Sequence, residues 1–325
     1  MKLASLKSGR DGHLVIVSND LSHYVDAADI APTLQAALEN WQSLEPLLRE
    51  RSDNLTANKI DNLQPFDPAA CAAPLPRAYH WVDGSVYLNH MKLVRQARGA
   101  EMPDSFLEEP LVYQGGSDFL LGPRDPILAR DEAWGIDLEA EVAVITDDVP
   151  AHTKAEQAAA HIKLVLLAND ISLRNLIPGE LGKGFGFYQS KPPTAFSPVA
   201  VTPDALGDRW DGRKLHGAVN VTLNEKKLGD PDAGADMYFD FGQLIEHVTM
   251  TRPLGAGTII GSGTISNEDR SRGSCCLAEV RTIETIETGG PKTPFMSFGD
   301  RVSIDMTDEN ENSIFGRIEQ VVTRQ

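Results

Sequence analysis

Cysteine is scarce in this chain: Cys71, Cys275 and Cys276 are the three among 325 residues. An odd count without C-x-x-C spacing argues against a disulfide frame or a thiolate zinc site and for reduced thiols in a cytoplasmic protein. Long apolar runs are also missing, since none approaches the roughly 20 residues of a membrane span. Met1–Ser5 leads into a strand-like segment instead of the apolar stretch of a secretory signal. Basic residues are few, 30 Lys and Arg against 47 Asp and Glu, for a formal net charge of −17. Nucleic acids and anionic membranes need a basic surface, so both are excluded as partners. Small ligands are not, because their sites carry a local charge of their own. There is no internal repeat and no low-complexity tract. What is present, 41% apolar and 24% charged residues, suits a soluble globular protein of one large or two ordinary domains.

Lys2–Lys7 and His13–Ser18 are β-prone runs around Ser8-Gly9-Arg10-Asp11-Gly12, a hairpin pattern. Pro32-Thr33 opens a helical spacing of Leu34, Leu38 and Trp41, which Pro46 is expected to break or restart. Asp53–Pro76, rich in Pro, Asn and Asp, reads as a linker. The organisation predicted is a small N-terminal α+β domain over residues 1–72 and a catalytic domain over 73–325. Nothing in the first seventy residues looks catalytic.

The stretch that organises the rest is Ile136 to Ile145, containing Asp137-Leu138-Glu139-Ala140-Glu141. Strand alternation puts Leu138, Ala140, Val142 and Val144 on one face and the three acids on the other. Carboxylates at i and i+2 stand about 7 Å apart, close enough to converge on one point. They repel each other unless one is protonated or a cation lies between them. The plain alternative is a half-buried strand with a solvated acidic face.

Other candidates lie on either side. Asp83 and His90 are seven positions apart around Asp83-Gly84, so they can face one cavity; a turn aspartate and a surface histidine are the ordinary readings. Tyr113–Ile127 reads as Gly- and Pro-rich covering loops. After Thr153-Lys154-Ala155-Glu156, a helix-start pattern, Lys163–Ala168 is a buried-strand run ending at Asn169-Asp170. Asp170 there is either a ligand at the edge of the core or a helix N-cap. Leu181–Phe187 sets Lys183 among glycines without the spacing of a phosphate-binding loop, so a nucleotide reading is rejected. Gly261-Ser262-Gly263-Thr264-Ile265-Ser266-Asn267 is either a tight turn or a loop whose amides and Thr264 hydroxyl take a ligand carboxylate. Val199–Thr202, Leu215–Leu223 and Thr258–Ile260 are strand candidates, Phe239–Thr249 a helix. A closing hairpin spans Val302–Met306 and Ser313–Val322.

Together these motifs resemble the fumarylacetoacetate hydrolase family, as a bacterial member, from about Pro76 to the C-terminus. The resemblance rests on Asp137-x-Glu139-x-Glu141, Asn169-Asp170-x-Ser172-x-Arg174, Gly182-Lys183-Gly184-Phe185-Gly186 and Gly261-Ser262-Gly263-Thr264-Ile265-Ser266, in that order. It implies an α+β, mostly β fold, a mixed β-sandwich roll with a small N-terminal domain, usually a homodimer. It also implies that Glu139, Glu141 and Asp170 bind a divalent metal, with Asp83 the further aspartate and His90 the catalytic histidine at the family's interval. An all-carboxylate set selects a hard cation, Mg²⁺ or Ca²⁺.

The implied reaction is hydrolysis of a carbon–carbon bond in a 1,3-diketo acid, of the kind met in tyrosine and other aromatic breakdown. His90, oriented by Glu279, is the base that activates water, and Lys183 and Arg174 stabilise the developing oxyanion. Arg98, Gly184, Thr264 and Ser85 are the expected substrate contacts. Four carboxylates and one divalent cation leave a net −2, so an anionic substrate needs Arg98, Arg174 and Lys183 nearby. Against the pattern of the animal tyrosine-catabolic enzyme, the Arg174–Lys183 segment is short and lacks a substrate-contacting glutamine and tyrosine. Glu279 is offset by two residues from that pattern and Arg98 by one. The rival functions are a decarboxylase or tautomerase working through a metal-bound enolate, which needs no water-activating base, and a non-enzymatic cation-binding module.

Overall fold

A computed structural model describes residues 1–97, 99, 101 and 103–325. Apolar alternation and turn chemistry build one large mixed sheet. Its order by strand is Gln64–Pro65, His23–Asp26, His13–Val17, Lys2–Leu6, Val199–Val201, Ile162–Asn169, Ala140–Thr146, Ile259–Gly261, Trp81–Ser85 and Leu111–Gly115, with Ala195–Phe196 beside Ile162–Asn169. The N-terminal hairpin predicted around Gly9 forms, Lys2 facing Val17 and Leu6 facing His13. Through Lys2–Leu6 it joins the strand Val199–Val201, so the first strands extend the main sheet. A five-stranded sheet runs Lys226–Gly229, Val219–Leu223, Arg301–Met306, Ile318–Arg324 and Ile127–Ala129. Core side chains from both sheets, among them Val142, Val144, Val221 and Ile304, form one cluster that Phe315 joins from the connection before the last strand. A second cluster packs the N-terminal helices, through Leu34, Leu38 and Leu48, on the far face of the large sheet. This is the mixed, mostly β architecture expected. No helix of the described residues is long and apolar enough to cross a membrane.

Local differences from the sequence reading have physical causes. The N-terminal helical stretch divides at Asn40, not at Pro46, into Leu34–Glu39 and Trp41–Thr56. Pro46 is exposed, so the carbonyl it leaves unbonded faces water. The acidic stretch is not half-solvated: every residue from Ile136 to Thr146 is buried. It splits into Ile136–Asp137, paired with Ser172–Leu173, and Ala140–Thr146, held between two neighbouring strands. Glu279 lies in a helix, Leu277–Thr288, that the β-rich reading of the C-terminal third did not anticipate.

Candidate active site

Sheet register assembles the acids. Asp83 sits opposite Gly261 on one side and Tyr113 on the other. Gly261 also faces Ala143, two residues beyond Glu141, while Glu141 pairs with Ala168, two before Asp170. Gly261 is required here: a Cβ would come within 2.4 Å of Asp83 Oδ1 and 3.0 Å of Glu141 Oε2. Gly263 has φ +77°, and its amide donates to Asp83 Oδ1 at 3.0 Å. Carboxylate oxygens of Asp83, Glu141 and Asp170 thus lie within 4.8 Å of one another, all three residues buried.

Their partners differ. Asp170 accepts from Thr194 at 2.6 Å, Tyr113 at 2.7 Å and Lys191 at 2.6 Å. Glu139 accepts from Arg174 at 2.7 Å and Lys191 at 2.6 Å, and its amide is anchored by Asn169 at 3.1 Å. Among the described residues, both oxygens of Glu141 are buried without any donor. An orphaned buried carboxylate costs several kcal/mol if ionised, so a neutral form or a cation is needed. Burial first, then Asp83 and Asp170, pushes the Glu141 carboxyl well above its ordinary range; burial and Asp170 do the same to Asp83. For Glu139 burial also acts upward, but Arg174 and Lys191 outweigh it and hold the acid well below that range. Burial likewise opposes the charge of Lys191, yet Asp170 and Glu139 keep it firmly protonated.

The residues therefore fit a divalent cation. Hard oxygen donors converge, one of them has no other partner, and the local charge is uncompensated. A second group within 4.8 Å, His90, Glu139 and Cys276, fits less well. Its histidine is paired with Glu279, its carboxylate with Arg174 and Lys191, and burial pushes the Cys276 thiol upward.

His90 stands in the helix Leu88–Ala97, and its Nδ1 lies 3.0 Å from Glu279 Oε2. Glu279 is in place because Asp137 accepts the amides of Leu277 and Ala278, at 2.8 and 2.9 Å, fixing that helix start. The same carboxylate takes the Arg174 Nε at 2.8 Å, which ties the helix to Glu139 through one guanidinium. Asp83, Ser85, His90, Glu139, Arg174, Lys191 and Thr264 line one cavity of about 500 Å³. The Thr264 hydroxyl is buried and, among the described residues, without a partner.

Several expected residues are elsewhere. Lys183 and Gly184 are exposed and do not line the cavity. Glu180 accounts for this: its carboxylate takes the amides of Tyr188, Gln189 and Ser190, at 3.1, 2.6 and 3.1 Å, and turns the intervening glycine-rich segment outward. The lysine in the cavity is Lys191. Its signal was its place in Ser190-Lys191-Pro192-Pro193-Thr194, just ahead of the buried run Ala195–Val201. Tyr113, read as part of a loop, is on an edge strand and donates to Asp170. The amides of Ser262, Gly263 and Ile265 are already used within the protein, and Gly263 and Thr264 are the residues of that turn that line the cavity. Arg98 lies outside the described residues.

Comparison with known proteins identifies the family. Residues 79–323 match the family described as fumarylacetoacetate (FAA) hydrolase C-terminal. The chain belongs to the fumarylacetoacetate hydrolase family. Residues 1–77 match its partner description, fumarylacetoacetase N-terminal domain 2. A mitochondrial oxaloacetate tautomerase of Bos taurus is 28% identical over 166 residues, 48% of this chain and 48% of that protein. The match thus spans about half the length of that relative. An uncharacterized protein of Pyrococcus abyssi is 29% identical over 167 residues, 51% of this chain and 70% of its own.

Among solved structures, maleylpyruvate hydrolase from Sphingobium sp. SYK-6, in complex with manganese (II) ion and pyruvate, has a TM-score of 0.65 at 16% identity. It covers 100% of this chain and 99% of that one. A 5-carboxymethyl-2-hydroxymuconate delta-isomerase from Mycobacterium smegmatis has a TM-score of 0.61 at 16% identity, with the same coverage of both. At these identities the likeness is one of fold. The fold is thus shared with proteins named as a hydrolase and as an isomerase.

Proposed function

We propose that this protein is a divalent-metal-dependent hydrolase that cleaves a carbon–carbon bond in a 1,3-diketo acid, fumarylacetoacetate-like or acylpyruvate-like. The observation that carries the reading is His90, paired with Glu279, lining the same cavity as Lys191, Asp83 and Glu139. Asp83, Glu141 and Asp170 hold the cation, with Glu139 adjoining them, and Mg²⁺ or Ca²⁺ suits such oxygen donors. When bound, the cation supplies Lewis-acid stabilisation to the diketone oxygens.

The protein's own groups do the rest. Glu279 fixes the imidazole with Nδ1–H toward the carboxylate, leaving Nε2 to accept a proton from water. Water oxygen bonds to the distal carbonyl carbon, and the bond from that carbon to the methylene breaks. The electron pair leaves on the methylene carbon, which takes the proton back from His90. An acylpyruvate so yields a carboxylic acid and pyruvate. Lys191 puts fixed positive charge beside the developing oxyanion, the role that the sequence pattern had suggested for Lys183. Arg174 acts at one remove: it keeps Glu139 ionised and joins it to Asp137. Ser85 and the unpartnered Thr264 hydroxyl are the polar contacts left for substrate.

Relatives named for tautomerase and isomerase activity favour a second reading, tautomerisation or decarboxylation of a β-keto acid through the same enolate. Diketo acids incubated with Mg²⁺, Mn²⁺, Ca²⁺ or chelator distinguish the two. Hydrolysis gives two acids in a metal-dependent way, whereas carbon dioxide with a ketone, or an isomer alone, supports the second reading. Two further expectations accompany the first. The free, buried cysteines suit a reducing compartment, the cytoplasm. Exposed large apolar side chains, Leu107 and Phe185 among them, leave surface that two copies would bury in the expected homodimer, which light scattering on the purified protein tests.

A further inference from the structure

Of the three acids in Asp137-x-Glu139-x-Glu141, Glu141 belongs to the converging carboxylates and Glu139 lines the cavity; Asp137 does neither. It is fully buried, and among the described residues its side-chain partners are all donors. Oδ1 takes the Leu277 amide at 2.8 Å, and Oδ2 takes the Ala278 amide at 2.9 Å together with Arg174 Nε at 2.8 Å. Those two amides open the helix Leu277–Thr288, whose own N-cap is Cys276. The Cys276 thiol takes the Glu279 amide at 3.4 Å, and sulfur is a weak acceptor where Ser, Thr or Asp would be a strong one. The start of this helix is therefore held by a carboxylate 140 residues earlier in the chain. Glu279 is the third residue of the helix and is 2% exposed. Among the described residues, the hydrogen-bond partner of its carboxylate is His90, so the backbone at the helix start sets where that carboxylate meets the imidazole.

We propose that Asp137 is a positioning residue for the hydrolysis: it docks the start of the Glu279 helix, so that the His90–Glu279 pair is held in register with Glu139 and the carboxylates beside it. The inference rests on the hydrolase reading above and adds to it a residue that lines no part of the cavity. Arg174 makes the link, with its Nε on Asp137 and its Nη2 on Glu139, at 2.8 and 2.7 Å. The base pair and the acids come from segments far apart in sequence, and this one guanidinium refers the first to the second. Asparagine at 137 keeps the shape but turns one of the two oxygens into a donor, which then faces an N–H that it cannot accept. The helix start shifts in response, and a misplacement of about 1 Å is enough to cost about 10²-fold in rate.

Kinetics and spectroscopy on the full chain with Mg²⁺ test this. With acetylpyruvate as substrate, D137N should lower kcat by about 10- to 100-fold while KM stays within about threefold. The double variant D137N/E279Q should be no slower than E279Q alone, to within about twofold, because residues that act through one pair do not lose rate independently. C276S gives the helix a stronger N-cap, so D137N/C276S should recover kcat by about threefold or more over D137N. Where D137N alone does not fold, D137N/C276S takes its place beside C276S in the same comparison. Nitrogen NMR shifts of isotope-labelled histidine, with the His90 signal assigned as the one lost in H90A, should show the Nδ1–H tautomer in the natural protein and a tautomer mixture in D137N. If no diketo acid is hydrolysed but the His90 tautomer changes in D137N, the hydrolase reading fails and the positioning role stands. Losses that multiply in D137N/E279Q, or a His90 spectrum that is the same in D137N as in the natural protein, overturn the proposal.

Discussion

The carboxylates and the lysine that faces them are held by different kinds of structure. Asp83 and Glu141 sit on central strands whose neighbours fix their register on both sides, and Gly261 between them leaves room for both acids. Lys191, in contrast, stands on a connecting segment beyond the outward turn at 181–187, kept in place by Glu180 and by its own bonds to Glu139 and Asp170. A strand residue is positioned by the ladder whether or not its side chain has a partner, and Glu141 has none. A loop residue reaches the site only through specific polar contacts. The sheet can therefore store an uncompensated charge, and the loops bring the groups that answer it.

Substitutions can break or sharpen that contrast. The largest effect is expected from H90A, which should lower hydrolysis by about 10²–10⁴-fold while metal binding persists. Product assays together with calorimetry check it, and unchanged turnover removes His90 as base. K191M should lower kcat by about 10²–10³-fold, because it takes a fixed charge from the oxyanion position and leaves Asp170 and Glu139 facing each other. K183A, on the exposed turn, should stay within about twofold of the natural enzyme, as a surface change does. Equal losses in the two variants would mean that the turn closes over the cavity during catalysis.

A smaller effect concerns the loop anchor. Three amides and the Ser190 hydroxyl bond the Glu180 carboxylate. Burial acts upward on it, but these bonds win and bring its pKa down to about 2. Because the folded value lies below the unfolded one, the stabilisation is present above the unfolded pKa, about 4.5, and is lost as pH falls toward 2. E180Q should thus cost about 1–2 kcal/mol near neutral pH, with a difference in denaturation midpoint that fades over that acid range.

The same contrast explains what could be read from the chain. Asp170, at the end of a buried run, was joined to Glu139 and Glu141 by the family resemblance, whereas strand alternation alone put those two near one another. The hairpin at Gly9 and the closing hairpin were legible for the same reason. Lys191 was not: a lysine followed by two prolines carries no periodicity, and its position depends on carboxylates distant in sequence. The glycines around Lys183 suggested close approach to a ligand, but glycine permits an outward turn equally well, and Glu180 selects it. Helix Leu277–Thr288 went unseen because its Thr and Ile content favours strand locally, while Asp137 caps its first turn from 140 residues away.

Titration of the metal-stripped protein with Mn²⁺ in a calorimeter is the most direct test of the account, set beside the same titration of E141Q. The account predicts one saturable site per chain in the natural protein and at least a hundredfold weaker binding in the variant, whose fold by circular dichroism is unchanged. Absence of saturable binding in the natural protein, or equal affinity in E141Q, would contradict the claim that the orphaned carboxylate is there to hold a cation.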